Sequence, residues 1–99
     1  MIKRIVKMNI RADREVAFRA IFDEVKEAIR AQPGCLGLEL LRMERDGQPS
    51  WWTISLWEAE ADLERYRHSD LFAATWSRVK PLFYDRSEAW SLTPIDELP

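Results

Sequence analysis

The residues of this sequence that could do chemistry are few, and most stand close together. Tyr66 and His68 are two positions apart, Leu63 precedes Tyr66 by three, and Phe72 and Trp76 follow four apart. His68 is the single histidine, and an imidazole with its unperturbed pKa of about 6.5 suits a general base. Its neighbours are Arg67 and Ser69, and spacing places no carboxylate or nucleophile beside it, so the plainer reading is a surface residue ending a short helix. Tyr66, Trp76, Phe72 and Leu63 suit an aromatic wall that holds a flat phenol or quinone by stacking and area burial. Simple core packing competes with that reading, but the Tyr66 hydroxyl needs a partner once buried. Trp52 is a further candidate for the substrate wall, although it shares with Trp51, Trp57 and Trp90 the character of a sheet-core or interface residue. Arg42, between Leu41 and Met43, could orient an anionic substrate or enolate, against the ordinary alternative of a rim ion pair with Glu39 or Glu44. Cys35 and His68, 33 positions apart, offer no metal-ligand spacing, so no metal site is expected.

The chain that must position these residues has 99, the size of one domain spanning 1–99. Fifteen basic and seventeen acidic residues give a net charge of −2 with no clustered basic excess, which excludes a nucleic-acid footprint. No apolar run approaches a membrane span, and the charged start MIKRIVKMNI does not read as a signal peptide. The lone Cys35 has no internal disulfide partner, which fits a reducing cytoplasm. Five tryptophans, at 51, 52, 57, 76 and 90, must line a core, an interface or a pocket, because large aromatics are costly to expose.

Residues 2–10 alternate as a strand, with Ile2, Val6, Met8 and Ile10 on one face. Asp13 is the expected N-cap of an amphipathic helix whose apolar face carries Phe18, Ile21, Phe22, Val25 and Ile29, stopped by Pro33-Gly34. Residues 35–45 and 51–57 form a hairpin about the turn cluster Asp46-Gly47-Gln48-Pro49. A short helix over 58–67 follows. Ser69 caps another that bears Leu71, Phe72, Trp76 and Val79 and ends at Pro81, and a last strand runs through Glu88–Leu92. The order β-α-β-β-α-β predicts an α+β fold of the ferredoxin-like split type, an antiparallel sheet with helices on one face. Trp52, Ile54 and Leu56 fall on one side of the second hairpin strand and Trp51 and Trp57 on the other, so neither face is polar. The uncovered apolar face predicts a homodimer joined sheet to sheet.

Several short motifs, in order, resemble the antibiotic biosynthesis monooxygenase (ABM) family: Pro33-Gly34-Cys35 before a strand, Trp57-Glu58 closing the next, and Leu63…Tyr66…Ser69-Asp70-Leu71-Phe72. Lys80-Pro81-Leu82-Phe83 and Glu88-Ala89-Trp90-Ser91 are similar to an uncharacterised bacterial branch. The resemblance covers nearly the whole chain and implies a dimeric α+β barrel with a pocket between sheet and helices. Relatives include cofactor-independent oxygenases of polycyclic phenols, quinol oxygenases, haem-degrading enzymes and an isomerase. Haem-degrading relatives carry a histidine where this chain has Trp76, an asparagine where it has Val6, and a tryptophan where it has Tyr66. Small-quinol and signalling relatives carry histidines at the positions of Tyr66 and Leu71. The resemblance therefore implies a monooxygenase that needs no cofactor and acts on a small phenol or hydroquinone. A non-catalytic small-molecule-binding dimer, or a purely structural one whose tryptophans fill the pocket, are the alternatives.

Overall fold

The computed structural model describes residues 1–99. Its strands are β1 (Ile2–Met8), β2 (Cys35–Arg45), β3 (Gln48–Trp57) and β4 (Glu88–Leu92), and its helices are α1 (Glu15–Arg30), α2 (Glu60–Arg67) and α3 (Asp70–Val79). The sheet order is β2-β3-β1-β4 with every neighbouring pair antiparallel, the ferredoxin-like arrangement, and the three helices lie on one face. No helix is long and apolar enough to cross a membrane.

Local chemistry explains most of the boundaries. Asp46 and Gly47 both have positive φ, 53° and 76°, and form the two-residue turn whose twist matches a hairpin. The turn is therefore tighter than the four-residue cluster expected, and β3 starts at Gln48, paired with Arg45. Pro49 is tolerated inside β3 because β1 pairs only as far as Trp51, so the missing N–H faces no neighbour. Ser69 caps α3 as expected, its Oγ accepting the Phe72 N–H at 3.1 Å. Asp13 does not cap α1. It lies in a 3₁₀ turn, Ala12–Arg14, and the N-cap position falls to Arg14 with no side-chain cap. Glu15 instead supplies the negative charge in the first helical turn, where the peptide dipoles favour it.

Alternation along the strands puts Arg4, Val6, Met8, Thr53 and Ser55 under the helices. Two buried clusters form there. Met8, Ile10, Phe18, Ile21, Val79 and Leu82 make the larger, at one end of the sheet, and Cys35, Trp57 and Leu63 the smaller, at the other. Glu15 ties α1 down over the first end. It accepts Arg42 Nε at 2.6 Å and Nη2 at 3.1 Å, and Trp51 Nε1 at 2.8 Å. At the other end Gly34, at φ 81°, lets the chain turn from α1 into β2 directly against Asp62 of α2.

Two outcomes follow from these ties. Gly34→Ala places a Cβ inside the Asp62 side chain and a non-glycine residue in the left-handed region, so it lowers unfolding stability by about 2 kcal/mol or more in urea denaturation. Arg42 hydrogen bonds hold the Glu15 carboxyl below its ordinary 4.5; burial opposes them, and the Trp51 N–H and the Arg42 charge add to them. A depressed carboxyl pKa contributes stability above the unfolded value and loses it as pH falls through the folded one. Glu15→Gln is therefore expected to cost up to about 1 kcal/mol at neutral pH and to flatten the acid limb of the stability–pH profile below about 4.5.

Candidate functional site

The two core clusters do not merge. Between them, roofed by the helices and floored by the sheet, lies a cavity of about 360 Å³, of which fourteen of twenty lining residues are hydrophobic. That volume lies in the range of small-molecule sites. One wall carries Tyr66, Phe72 and Trp76, the middle of a continuous run of aromatic rings whose ends, Trp57 and Phe83, pack outside the cavity. Trp57 stacks on Tyr66 at 5.3 Å, Tyr66 meets Phe72 edge-on at 5.3 Å, Phe72 stacks on Trp76 at 5.9 Å, and Trp76 meets Phe83 edge-on at 5.6 Å. Ser69 starts α3 just after α2 ends and so sets Phe72 and Trp76 beside Tyr66.

Tyr66, Phe72, Trp76 and Leu63 all line this cavity. Burial, with the nearby Cys35 adding, pushes the Tyr66 phenol up to about 12, so at neutral pH it is a hydrogen-bond donor and not a base. Its hydroxyl makes no hydrogen bond within the protein. The Thr75 hydroxyl, one helical position before Trp76, is buried and has no hydrogen-bond partner either. Both residues belong to the cavity lining, and the Tyr66 hydroxyl is the one free to pair with a polar atom of a ligand, since the Thr75 oxygen is sealed off.

The other three candidates stand elsewhere. His68 is not among the lining residues: it follows the last residue of α2, its side chain is 79 % exposed, and its Nδ1 lies 2.8 Å from the Glu64 carbonyl. Arg42 shares the inward face of the sheet but sits on the edge strand β2, beyond the larger core cluster. There Glu15 and Glu44, the latter 3.0 Å away, occupy its guanidinium. Trp52 points out of the opposite face, because β3 turns Thr53 inward and period two turns its neighbour outward; it stacks on Trp90 at 6.3 Å.

Sequence reading passed over Arg4, Arg67 and Thr75. Arg4 carried a signal, since it falls between Ile2 and Val6 on the inward row of β1, where a charge is unexpected. Thr75 carried none, because a threonine on a helix is ordinary until its surroundings are known. No group of three His, Cys, Asp or Glu side chains is placed to hold a metal ion. Trp76, at the position where haem-degrading relatives carry their ligand, has an indole N–H that donates only and cannot bind iron.

A family model described as antibiotic biosynthesis monooxygenase matches residues 1–77. No curated protein matches the chain. Among solved structures, Rv0793 from Mycobacterium tuberculosis is 22% identical, with 99% of this chain and 98% of that one covered and a TM-score of 0.84. SnoaB, a cofactor-independent oxygenase from Streptomyces nogalater, is 22% identical over 99% of this chain and 96% of its own, with a TM-score of 0.82. A conserved protein from Methanosarcina mazei is 14% identical, with 92% and 89% covered and a TM-score of 0.83. At these identities the structural likeness establishes the fold, and the match over 1–77 establishes the lineage: the chain belongs to the antibiotic biosynthesis monooxygenase family.

Proposed function

We propose that this protein is a cofactor-independent monooxygenase of a small, electron-rich phenol or hydroquinone bound in the cavity. The observation that carries the reading is the run of rings Tyr66, Phe72 and Trp76 lining an apolar space, with the Tyr66 phenol protonated at neutral pH. The description of SnoaB as a cofactor-independent oxygenase supports it. A flat phenol slides along the rings, and Tyr66 donates to its oxygen. With its proton lost, the bound phenolate passes one electron to dioxygen, and the radical pair joins to form a carbon–oxygen bond at a ring carbon bearing hydrogen. Loss of water from the resulting hydroperoxide leaves a quinone, so one oxygen atom stays in the product and the other departs as water. The protein contributes a dry pocket, the orientation of the ring and stabilisation of the anion. No carboxylate or imidazole lines the cavity, so the substrate proton leaves to water at the mouth.

The outward face of the sheet supports a homodimer. Trp90, Leu92 and Leu41 are 41 %, 47 % and 40 % exposed there, alongside Trp52, Ile54 and Leu56. An apolar patch of this kind on a twisted sheet suits a second copy of the same face.

Titration with hydroquinones, polycyclic phenols and haem, followed by tryptophan fluorescence, tests the pocket, because a planar ligand beside Trp76 quenches part of the signal saturably. Binding of a phenol class together with oxygen uptake is the expected result; saturable binding without uptake leaves a non-catalytic binding module. Tyr66→Phe is expected to lower turnover about ten-fold while the protein stays folded. An unchanged rate removes Tyr66 from the chemistry. For the assembly, Trp90→Glu is expected to convert a sedimenting dimer to monomer, whereas a wild-type monomer at micromolar concentration removes the sheet-to-sheet interface.

A further inference from the structure

We propose that Arg4, supported by Arg67, is an anion anchor that makes the cavity select aromatic ligands carrying a carboxylate. This rests on the reading of the cavity as an aromatic-ligand site; it does not require turnover.

Pairing register decides where Arg4 stands. β1 is a central strand, and Arg4 lies opposite Ser55 of β3 and Ser91 of β4. One step along on the same face, Val6 lies opposite Thr53 and Ala89, and one further, Met8 lies opposite Trp51. The cavity floor therefore runs from an apolar end over the larger core cluster to a polar end at Arg4. Arg67, at the last turn of α2, enters the lining from the roof at the same end.

Arg4 is half-buried at this polar end of the cavity, where a guanidinium would ordinarily find a carboxylate. Arg4 has none. Its Nη1 donates to Ser91 Oγ at 2.9 Å and it takes part in no ion pair, and of the two arginines lining the cavity only Arg67 has a carboxylate partner. Burial first, and repulsion from Arg67 second, hold the Arg4 pKa below its ordinary range, with Glu64 opposing. The Glu64 carboxylate is already occupied by Arg67 at 2.8 Å. A positive charge with unspent N–H donors is thus held at the end of a site that is otherwise apolar. A planar carboxylate takes two parallel N–H bonds from such a fork. Its single charge also matches the net single positive charge of Arg4, Arg67 and Glu64 together; a phosphate dianion would exceed it. The ligand so described lies with its rings along Tyr66, Phe72 and Trp76 and its acid group at Arg4.

Calorimetric titration of the whole protein with 2-naphthol, 6-hydroxy-2-naphthoate and 2-naphthyl phosphate tests this. The wild type is expected to bind the carboxylate at least about ten-fold more tightly than the parent phenol, the size of effect a charge-assisted hydrogen bond gives. Arg4→Gln is expected to erase most of that preference while 2-naphthol affinity shifts less than about three-fold, and Arg4→Lys to keep part of it as a point charge. Retained 2-naphthol binding shows that the Gln variant is folded, and the wild-type comparison needs no variant at all. Equal binding of phenol and carboxylate, a preference that survives in Arg4→Gln, tighter binding of the phosphate, or binding of none of the three would each overturn the proposal. Oxygen uptake separates it from the enzymatic reading. A carboxylate preference without uptake leaves the anchor standing and the monooxygenase reading fallen; uptake with phenol and carboxylate bound alike does the reverse.

Discussion

The structure depends on how far the helices are held off the sheet. Protein interiors close to crystal-like density unless something props them open, and here bulky side chains at both ends do so. Phe18 and Trp51, 5.3 Å apart, fill one end; Trp57 and Tyr66, stacked at the same separation, fill the other. The space between them stays unfilled. In a sealed core, roughly 24 cal/mol for each Å³ of such space would sum to several kcal/mol, a large share of a small domain's stability. An opening to water relieves part of that, and a ligand would relieve more. A cavity of about 360 Å³ in a 99-residue chain thus exists because the two ends of the layer are propped apart.

Electrostatics then divides two arginines of the same sheet face. Arg42 lies on the edge strand within reach of the first turn of α1, and Glu15 meets it with two hydrogen bonds while Glu44 adds a third. Its charge is spent on clamping α1, and the cation also lies 5.8 Å from the Trp51 ring. Arg4 lies on a central strand below the cavity, where the helices overhead present no free carboxylate. The difference is one of position alone, because the two side chains are chemically identical.

Much of the scaffold was legible from residue patterns. β2 spans Cys35–Arg45 as alternation and the Pro33-Gly34 stop implied, Ser69 caps α3, and Leu63 and Tyr66 face inward together. These follow from short-range rules, since strand period, capping chemistry and helix spacing depend only on near neighbours. The failures were local choices with close competitors. Asp13 has the chemistry of a cap, but Glu15 has Arg42 and Trp51 to hold it, and the long-range contact won. Trp52 and Trp51 are adjacent and identical in type, and only the inward turn of Thr53 shows which of them faces the helices.

The sequence by itself determined the α+β class, the element order, the apolar faces and the family, because periodicity and short motifs record them directly. It also determined that Tyr66, Phe72 and Trp76 would share a surface, since they lie on two short helices joined at Ser69. Only the tertiary structure decided that this surface faces a cavity instead of a filled core, for that depends on the spacing between layers set by residues far apart in the chain. It alone removed His68 and Arg42 from the cavity and placed Arg4 there. Which charges meet is fixed by strand register and helix docking, and no single segment of the chain encodes either.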